Sequence, residues 1–185
     1  MVHHAIYTHN PHQPVTSRFV CLKVLFLDFF KNKKMNRSEK AKDSFNYGFN
    51  CSQSVFAAFA PALGISEDDC LRIATPFGGG MGRQQLVCGA VTGALMAIGA
   101  MKGKALHDPE SKKQETYLLT QEFCEAFIKK HGSLNCRDLL MGLNMRDPEE
   151  NRKIKELGLS ETHCLRYVED AVIITEELLR LRKNH

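Results

Sequence analysis

The chain has 185 residues, and 43% of them are apolar, which is enough for one domain with a sizeable core. This composition excludes collagen-like and wholly disordered chains. The net charge of +4 comes from residues 1–34, which carry five basic side chains and one acidic one, so residues 35–185 are neutral. A neutral body without a basic stripe argues against nucleic acid as a partner.

Residues 1–34 differ from the rest and are predicted to be an N-terminal appendage, so the domain itself would span 35–185. The apolar stretch 19–30 contains Lys23 and Asp28, which makes it too short and too charged to span a bilayer. No small-residue cleavage site follows it, which argues against a signal peptide. The segment also holds four histidines, and a tail of this kind more often carries them incidentally than as metal ligands: His3, His4, His9 and His12.

After the appendage, the apolar pattern has helical spacing. A first helix is predicted over 38–46 and a second over 51–60, with Pro61 at its end. Ser66 and the three acidic residues that follow it predict an N-cap and a third helix. A proline stops this third helix after about Thr75.

A run of glycines in 77–83 then precedes an almost wholly apolar segment, 86–101. Small residues recur in this segment at intervals of four, at Gly89, Gly93 and Ala97, and such spacing lets a second helix backbone approach closely. We therefore predict a buried central helix. Its small-residue face could also serve a homodimer, but burial within one chain is the favoured interpretation.

The sequence also predicts helices in the C-terminal part of the chain. Ser111 with Gln114 predicts a capping box, and the helix that it opens runs to about His131. Shorter helices are expected over 133–141 and from Asp147, and the last helix begins near Ser160 or Cys164. The predicted fold is all-α: a compact helical bundle with a buried central helix rich in small residues.

Four cysteines, Cys51, Cys88, Cys136 and Cys164, are the candidates for chemistry. No CxxC pair occurs, so spacing alone gives a weak metal signal. Cys51, Cys136 and Cys164 are predicted at helix starts, where the helix dipole lowers a thiol pKa and favours a thiolate that can bind metal or attack a disulfide. The alternative is that each cysteine packs as a small buried hydrophobe.

The other candidates carry weaker signals. The glycine run could offer N–H groups to an anion or to cluster sulfurs, or simply turn the chain; it lacks the strand context of a dinucleotide site. Arg83 could bind an anion, although a solvent-exposed arginine without a ligand is the favoured interpretation. His163 is an alternative ligand and His131 a weaker one. No serine–histidine–acid pattern is present, and three cysteines are interpreted as structural or incidental: Cys21, Cys70 and Cys124.

Seven cysteines without close pairing match a secreted disulfide framework poorly. The cytoplasm, where thiols stay reduced, is therefore the expected compartment.

Three stretches together resemble a known family. The runs 50–55, 78–82 and 88–93, the last reading Cys88-Gly89-Ala90-Val91-Thr92-Gly93, resemble the redox-active protein family defined by four cysteines and a CGAxxG motif. Residues 132–136 and 163–168 resemble the regions of its third and fourth cysteines. A related region in a multihaem cytochrome is associated with an iron–sulfur centre, so the resemblance implies metal or cluster binding. No CxxCH is present, so haem attachment is not implied.

The resemblance implies that the four cysteines converge on one redox-active centre, an iron–sulfur cluster or other metal, for electron transfer or redox sensing with an unidentified partner. An oxidoreductase or an electron carrier would both fit. The alternatives are a structural zinc site, a dithiol/disulfide centre, or a non-catalytic interaction module. Supporting positions are expected at six residues: Gly80, Gly82, Gly89, Ala90, Gly93 and His163.

Overall fold

A computed structural model describes residues 36–181, so the predictions for the N-terminal appendage, its histidines and Cys21 lie outside the described residues. Within that range the chain forms helices α1 to α9, together with a 3₁₀ turn at Thr75–Phe77, a glycine turn at Gly78–Met81 and a π-helical turn at Ser160–Cys164. The helices are α1 (Arg37–Tyr47), α2 (Cys51–Ala58), α3 (Ala60–Leu63), α4 (Glu67–Ala74), α5 (Gly89–Lys102), α6 (Glu110–His131), α7 (Cys136–Leu139), α8 (Pro148–Glu156) and α9 (Leu165–Leu181).

The prediction of an all-α fold is confirmed for this part of the chain. No strand occurs in residues 36–181, and extended pairing is limited to a single bridge between Val87 and Asn135. Nor is any helix within that range long and apolar enough to cross a membrane.

Helix α5 is the central helix, as predicted, with α2, α6 and α9 packed around it. Its residues from Gly89 to Ala94 are all buried. A Cβ on Gly89 would lie 3.1 Å from both Cys51 Cβ and Ser52 N, and one on Gly93 would lie 2.7 Å from Ser52 O. Glycines at this four-residue spacing therefore let the start of α5 lie directly against the backbone of α2.

The apolar faces of the longer helices pack as the sequence indicates. Val55 of α2, Phe123 and Phe127 of α6, and Val168 and Val172 of α9 are all completely or almost completely buried. Two ion pairs tie α1 to α9: Arg37 with Glu176, and Lys42 with Glu169.

Asn50 fixes the start of α2 and joins it to α4. Its side-chain oxygen accepts hydrogen bonds from the N–H groups of Ser52 and Gln53, and the Gln53 side chain accepts from the Asn50 N–H, each at 3.0 Å. This reciprocal arrangement is a capping box. The Asn50 amide also donates to Thr75 O at 3.1 Å, and the Gln53 amide donates to Leu71 O of α4 at 3.0 Å, so the position of Cys51 is set by both helices.

The structure corrects three of the predicted boundaries. Cys88 lies at the N-cap of α5 rather than inside the helix, because its N–H bonds to Leu134 O at 2.8 Å. The capping box at Ser111 is wrong, since α6 begins at Glu110 after a proline N-cap that makes no side-chain hydrogen bond. The segment 51–60 is two helices that meet at Phe59, so Pro61 lies in the first turn of α3.

We expect Gly93→Ala to destabilise the protein by about 1–3 kcal/mol, since the new methyl would overlap Ser52 O and Val55 Cβ. The matched control is Gly99→Ala on the same helix, where an added Cβ meets no atom within 4 Å. That change should be neutral or stabilising by up to about 1 kcal/mol. Urea unfolding of both variants measures the difference, and equal effects would contradict close packing at Gly93.

Candidate functional site: a four-cysteine pocket

The four candidate cysteines, from four separate parts of the chain, line one cavity of about 520 Å³. Cys88, Cys136 and Cys164 are buried, and Cys51 is half-buried. We call this cavity the cysteine pocket. The rest of its lining is Phe45, Gly48, Asn50, Thr75, Gly78, Gly79, Gly82, Arg83, Gly89, Leu139, Leu140, Met145, Ser160 and Tyr167.

Cys88 and Cys136 are held together by backbone hydrogen bonds. The Cys88 N–H donates to Leu134 O at 2.8 Å, and the Cys136 N–H donates to Leu86 O at 2.6 Å. These two hydrogen bonds form the antiparallel bridge between Val87 and Asn135. The N-cap of α5 and the first residue of α7 therefore face the same cavity.

The glycine turn closes the pocket beside Cys136. Gly80 has φ +65°, and a Cβ there would lie 2.8 Å from both Cys136 Cβ and Gln85 Cα. The buried Gln85 amide donates to Leu143 O and accepts from Met145 N–H, both at 2.7 Å. The turn is thus joined to the segment that follows α7, and only glycine fits at position 80.

Cys164 is the last residue of the π-helical turn and directly precedes α9. A π-helical turn adds one residue to a helical turn and occurs often at functional sites. Here it presents Cys164 to Cys51, and the two thiols are hydrogen-bonded to each other. This interaction raises the pKa of Cys51 and lowers that of Cys164.

The other two thiols are kept protonated by their surroundings. Burial raises the pKa of Cys88 to about 12. Burial, followed by the charges of Cys88 and Cys164, raises the pKa of Cys136 to about 12. The expectation that a helix start lowers the thiol pKa is therefore not met at Cys51, whose pKa is raised by the hydrogen bond with Cys164 and then by burial, or at Cys136, whose pKa is raised mainly by burial. The pKa of Cys164 is lowered, but by the hydrogen bond with Cys51.

Tyr167 is a pocket residue that the sequence did not single out. Its ring lines the cavity, and its hydroxyl donates to Leu139 O at 3.0 Å. Burial, and then the cysteine charges, raise its pKa. His131 packs against the Tyr167 ring, with 4.8 Å between the ring centroids, and its Nε2 lies 3.1 Å from Asp170 Oδ2. Tyr167 lies three residues after Cys164, within the stretch 163–168 that resembles the family, and this spacing is the signal that could have found it.

The supporting positions divide into two groups. Gly82 and Gly89 line the pocket, whereas Gly80 and Gly93 act through close packing behind it and Ala90 is buried in α5. His163 is not part of the lining: its Nδ1 lies 2.9 Å from Thr162 Oγ1. Two further cysteines also lie outside the lining, Cys70 and Cys124.

Among the described residues, no three His, Cys, Asp or Glu side chains are grouped closely enough to hold one metal ion. The pocket lining nevertheless contains no His, Asp or Glu, so cysteine sulfur is the only strong metal donor there.

Comparisons with known proteins agree with the cysteine pattern. A family model described as "Putative redox-active protein (C_GCAxxG_C_C)" matches residues 49–178, which include all four pocket cysteines. An uncharacterized protein of Archaeoglobus fulgidus is 31% identical over 160 residues, covering 80% of this chain and 99% of the relative. No solved structure matches the chain significantly.

Stability should fall as the pH rises above about 9 in the presence of a chelator. The pKa values of Cys88 and Cys136 are higher in the folded state than in the unfolded state, so these thiols stabilise the fold at pH values below 9.0. This stabilisation is lost as the pH rises from 9.0 to about 12. Each such thiol contributes a slope of up to about 1.4 kcal/mol per pH unit. Cys88→Ser should reduce the slope, because serine does not ionise there. Urea unfolding at several alkaline pH values tests this, and identical slopes would contradict the protonated-thiol assignment.

Proposed function

The chain belongs to the C_GCAxxG_C_C family of redox-active proteins, and on this premise we propose that Cys51, Cys88, Cys136 and Cys164 are the ligands of an iron–sulfur cluster for electron transfer or redox sensing. The observation that supports the proposal is the presence of all four sulfurs around one cavity without a competing carboxylate or imidazole. Four cysteine thiolates are the usual ligand set of such clusters.

The donor set of the pocket fits an iron–sulfur cluster, because cysteine is the only strong metal donor among the described lining residues and such clusters are usually held by cysteine thiolates. When bound, the cluster would accept and release single electrons.

The protein around the sulfurs would control both loading and redox behaviour. Because the pKa values of Cys88 and Cys136 are about 12, binding would have to displace their protons, and loading should be favoured by higher pH. Three of the four cysteines and Tyr167 are buried, and solvent exposure is one factor that sets a cluster potential.

The hydrogen bond between Cys51 and Cys164 favours a second candidate, a dithiol that exchanges with a partner disulfide. The Cys164 thiolate would attack one partner sulfur, forming a mixed disulfide and releasing a partner thiolate. Cys51, losing its proton, would then attack Cys164 sulfur and release the second partner thiol. The two cysteines lose two electrons and two protons, and the partner disulfide gains them.

Anaerobic purification with iron and acid-labile sulfide analysis tests the cluster proposal. The wild-type chain should contain both, with a visible absorption band that bleaches on reduction. Serine at any one of the four pocket cysteines should remove most of the iron, because one ligand is lost. Cys124→Ser, outside the pocket, is the matched control and should retain it. A chain that contains zinc alone, or no metal even after reconstitution, would contradict the proposal.

Oxidation of the chelator-treated chain by oxidised glutathione tests the second candidate. The main crosslink found by non-reducing peptide mapping should join Cys51 to Cys164, because each of these thiols shifts the pKa of the other. Cys136→Ser should leave that crosslink in place, and Cys164→Ser should abolish it. Predominance of a Cys88–Cys136 crosslink would refute the assignment of the reactive pair.

A further inference from the structure

Among the described residues that line the cysteine pocket, Arg83 is the one with a formal charge at neutral pH. The remaining lining residues are cysteines, glycines, apolar residues and neutral polar residues. Glu161, whose charge acts on Cys164, does not line the cavity. The pocket therefore presents a single positive charge with no lining carboxylate to neutralise it.

The guanidinium of Arg83 is also free of partners within residues 36–181, and it differs in this from the other arginines described there. Arg146 bonds to Gln84 and Arg137 to Gly142 O, while the remaining five each lie within 4.0 Å of a carboxylate: Arg37, Arg72, Arg152, Arg166 and Arg180. Arg83 is exposed, and an arginine that lines a cavity without bonding to the protein is available to a ligand.

The backbone holds Arg83 in place despite an unfavourable conformation. Its φ is +66°, in the left-handed region that favours glycine. Its N–H bonds to Gly78 O, and the N–H groups of Gln85 and Leu86 bond back to Gly79 O and Gly80 O, at 3.1–3.3 Å. Such conformations persist only where the surroundings impose them, and they cluster at ligand-binding sites. The turn thus positions the guanidinium stem against Gly79, 3.2 Å from the place of its missing Cβ.

We propose that the mouth of the cysteine pocket binds a small molecule carrying an oxyanion group, a carboxylate or a phosphate, with Arg83 as its anchor. The planar guanidinium fork matches both groups, which it binds through two parallel hydrogen bonds. The cavity of about 520 Å³ lies within the usual size range of small-molecule pockets. A ligand bound to Arg83 would be presented to the thiols. This site is independent of the proposed function, since it requires neither a cluster nor a disulfide.

Alkylation by two reagents that differ in charge tests the site on the full-length chain, reduced and treated with chelator. Iodoacetate carries a carboxylate, and iodoacetamide is its neutral counterpart. Peptide mass spectrometry gives the rate at each cysteine. Arg83→Gln should lower the iodoacetate-to-iodoacetamide rate ratio at Cys51 and Cys164 by about three- to tenfold, and Arg83→Lys should restore part of it. A general change in thiol reactivity affects both reagents and cancels in the ratio.

Two controls belong to the same experiment. The ratio at Cys124, outside the pocket, should not change, and Arg152→Gln, at an exposed position of α8, should leave all ratios as in the wild type. Acetate and inorganic phosphate, each compared with chloride at equal ionic strength, should slow iodoacetate at the pocket cysteines of the wild type and not of Arg83→Gln. The stronger competitor identifies which oxyanion the site prefers.

An unchanged ratio in Arg83→Gln would overturn the proposal and leave Arg83 as a solvated side chain. Equal slowing of both reagents would overturn it as well, because it would show that Arg83 only shapes the pocket. Retention of the fold, checked by circular dichroism, separates these outcomes from simple unfolding.

Discussion

The contact between α5 and α2 is the constraint on which the rest of this structure depends. Gly89 and Gly93 remove the side chains that would hold the two helices apart, and the start of α5 lies against Cys51 and Ser52 as a result. Any larger residue at Gly93 would meet backbone oxygen, which cannot move aside as the end of a flexible side chain can. The glycines next to Cys88 therefore act through packing: they bring two cysteines from different helices to one cavity.

The positions of Cys88 and Cys136 depend on backbone hydrogen bonds between two short extended segments rather than on helix packing. Cys88 and Cys136 are joined through hydrogen bonds to Leu134 and Leu86, and the glycine turn fits over Cys136 because Gly80 has no Cβ. The π-helical turn then supplies Cys164. Four unrelated local structures thus converge, which explains why the cysteines are so widely spaced in the chain.

Burial sets the chemistry of the pocket. Burial disfavours the thiolates of Cys88 and Cys136 and raises the pKa of each to about 12. The pKa of Cys164 is instead lowered, by the hydrogen bond with Cys51. The single charged group of the lining, Arg83, lies at the glycine turn and has no partner in the described part of the chain. Metal loading, thiol exchange and anion binding would all depend on the protonation of these thiols and on the positive charge of Arg83.

The sequence by itself determined the helical class, the buried central helix and the identity of the four cysteines, because these follow from local periodicity, glycine spacing and the family motif. It could not determine that Cys88 caps α5 while bonded to Leu134, that Cys164 ends a π-helical turn, or that Tyr167 and Arg83 line the same pocket. The first and the third of these relations join residues far apart in the chain. Thiol ionisation was likewise decided only by tertiary structure, since desolvation depends on what surrounds a sulfur and not on its neighbours in sequence.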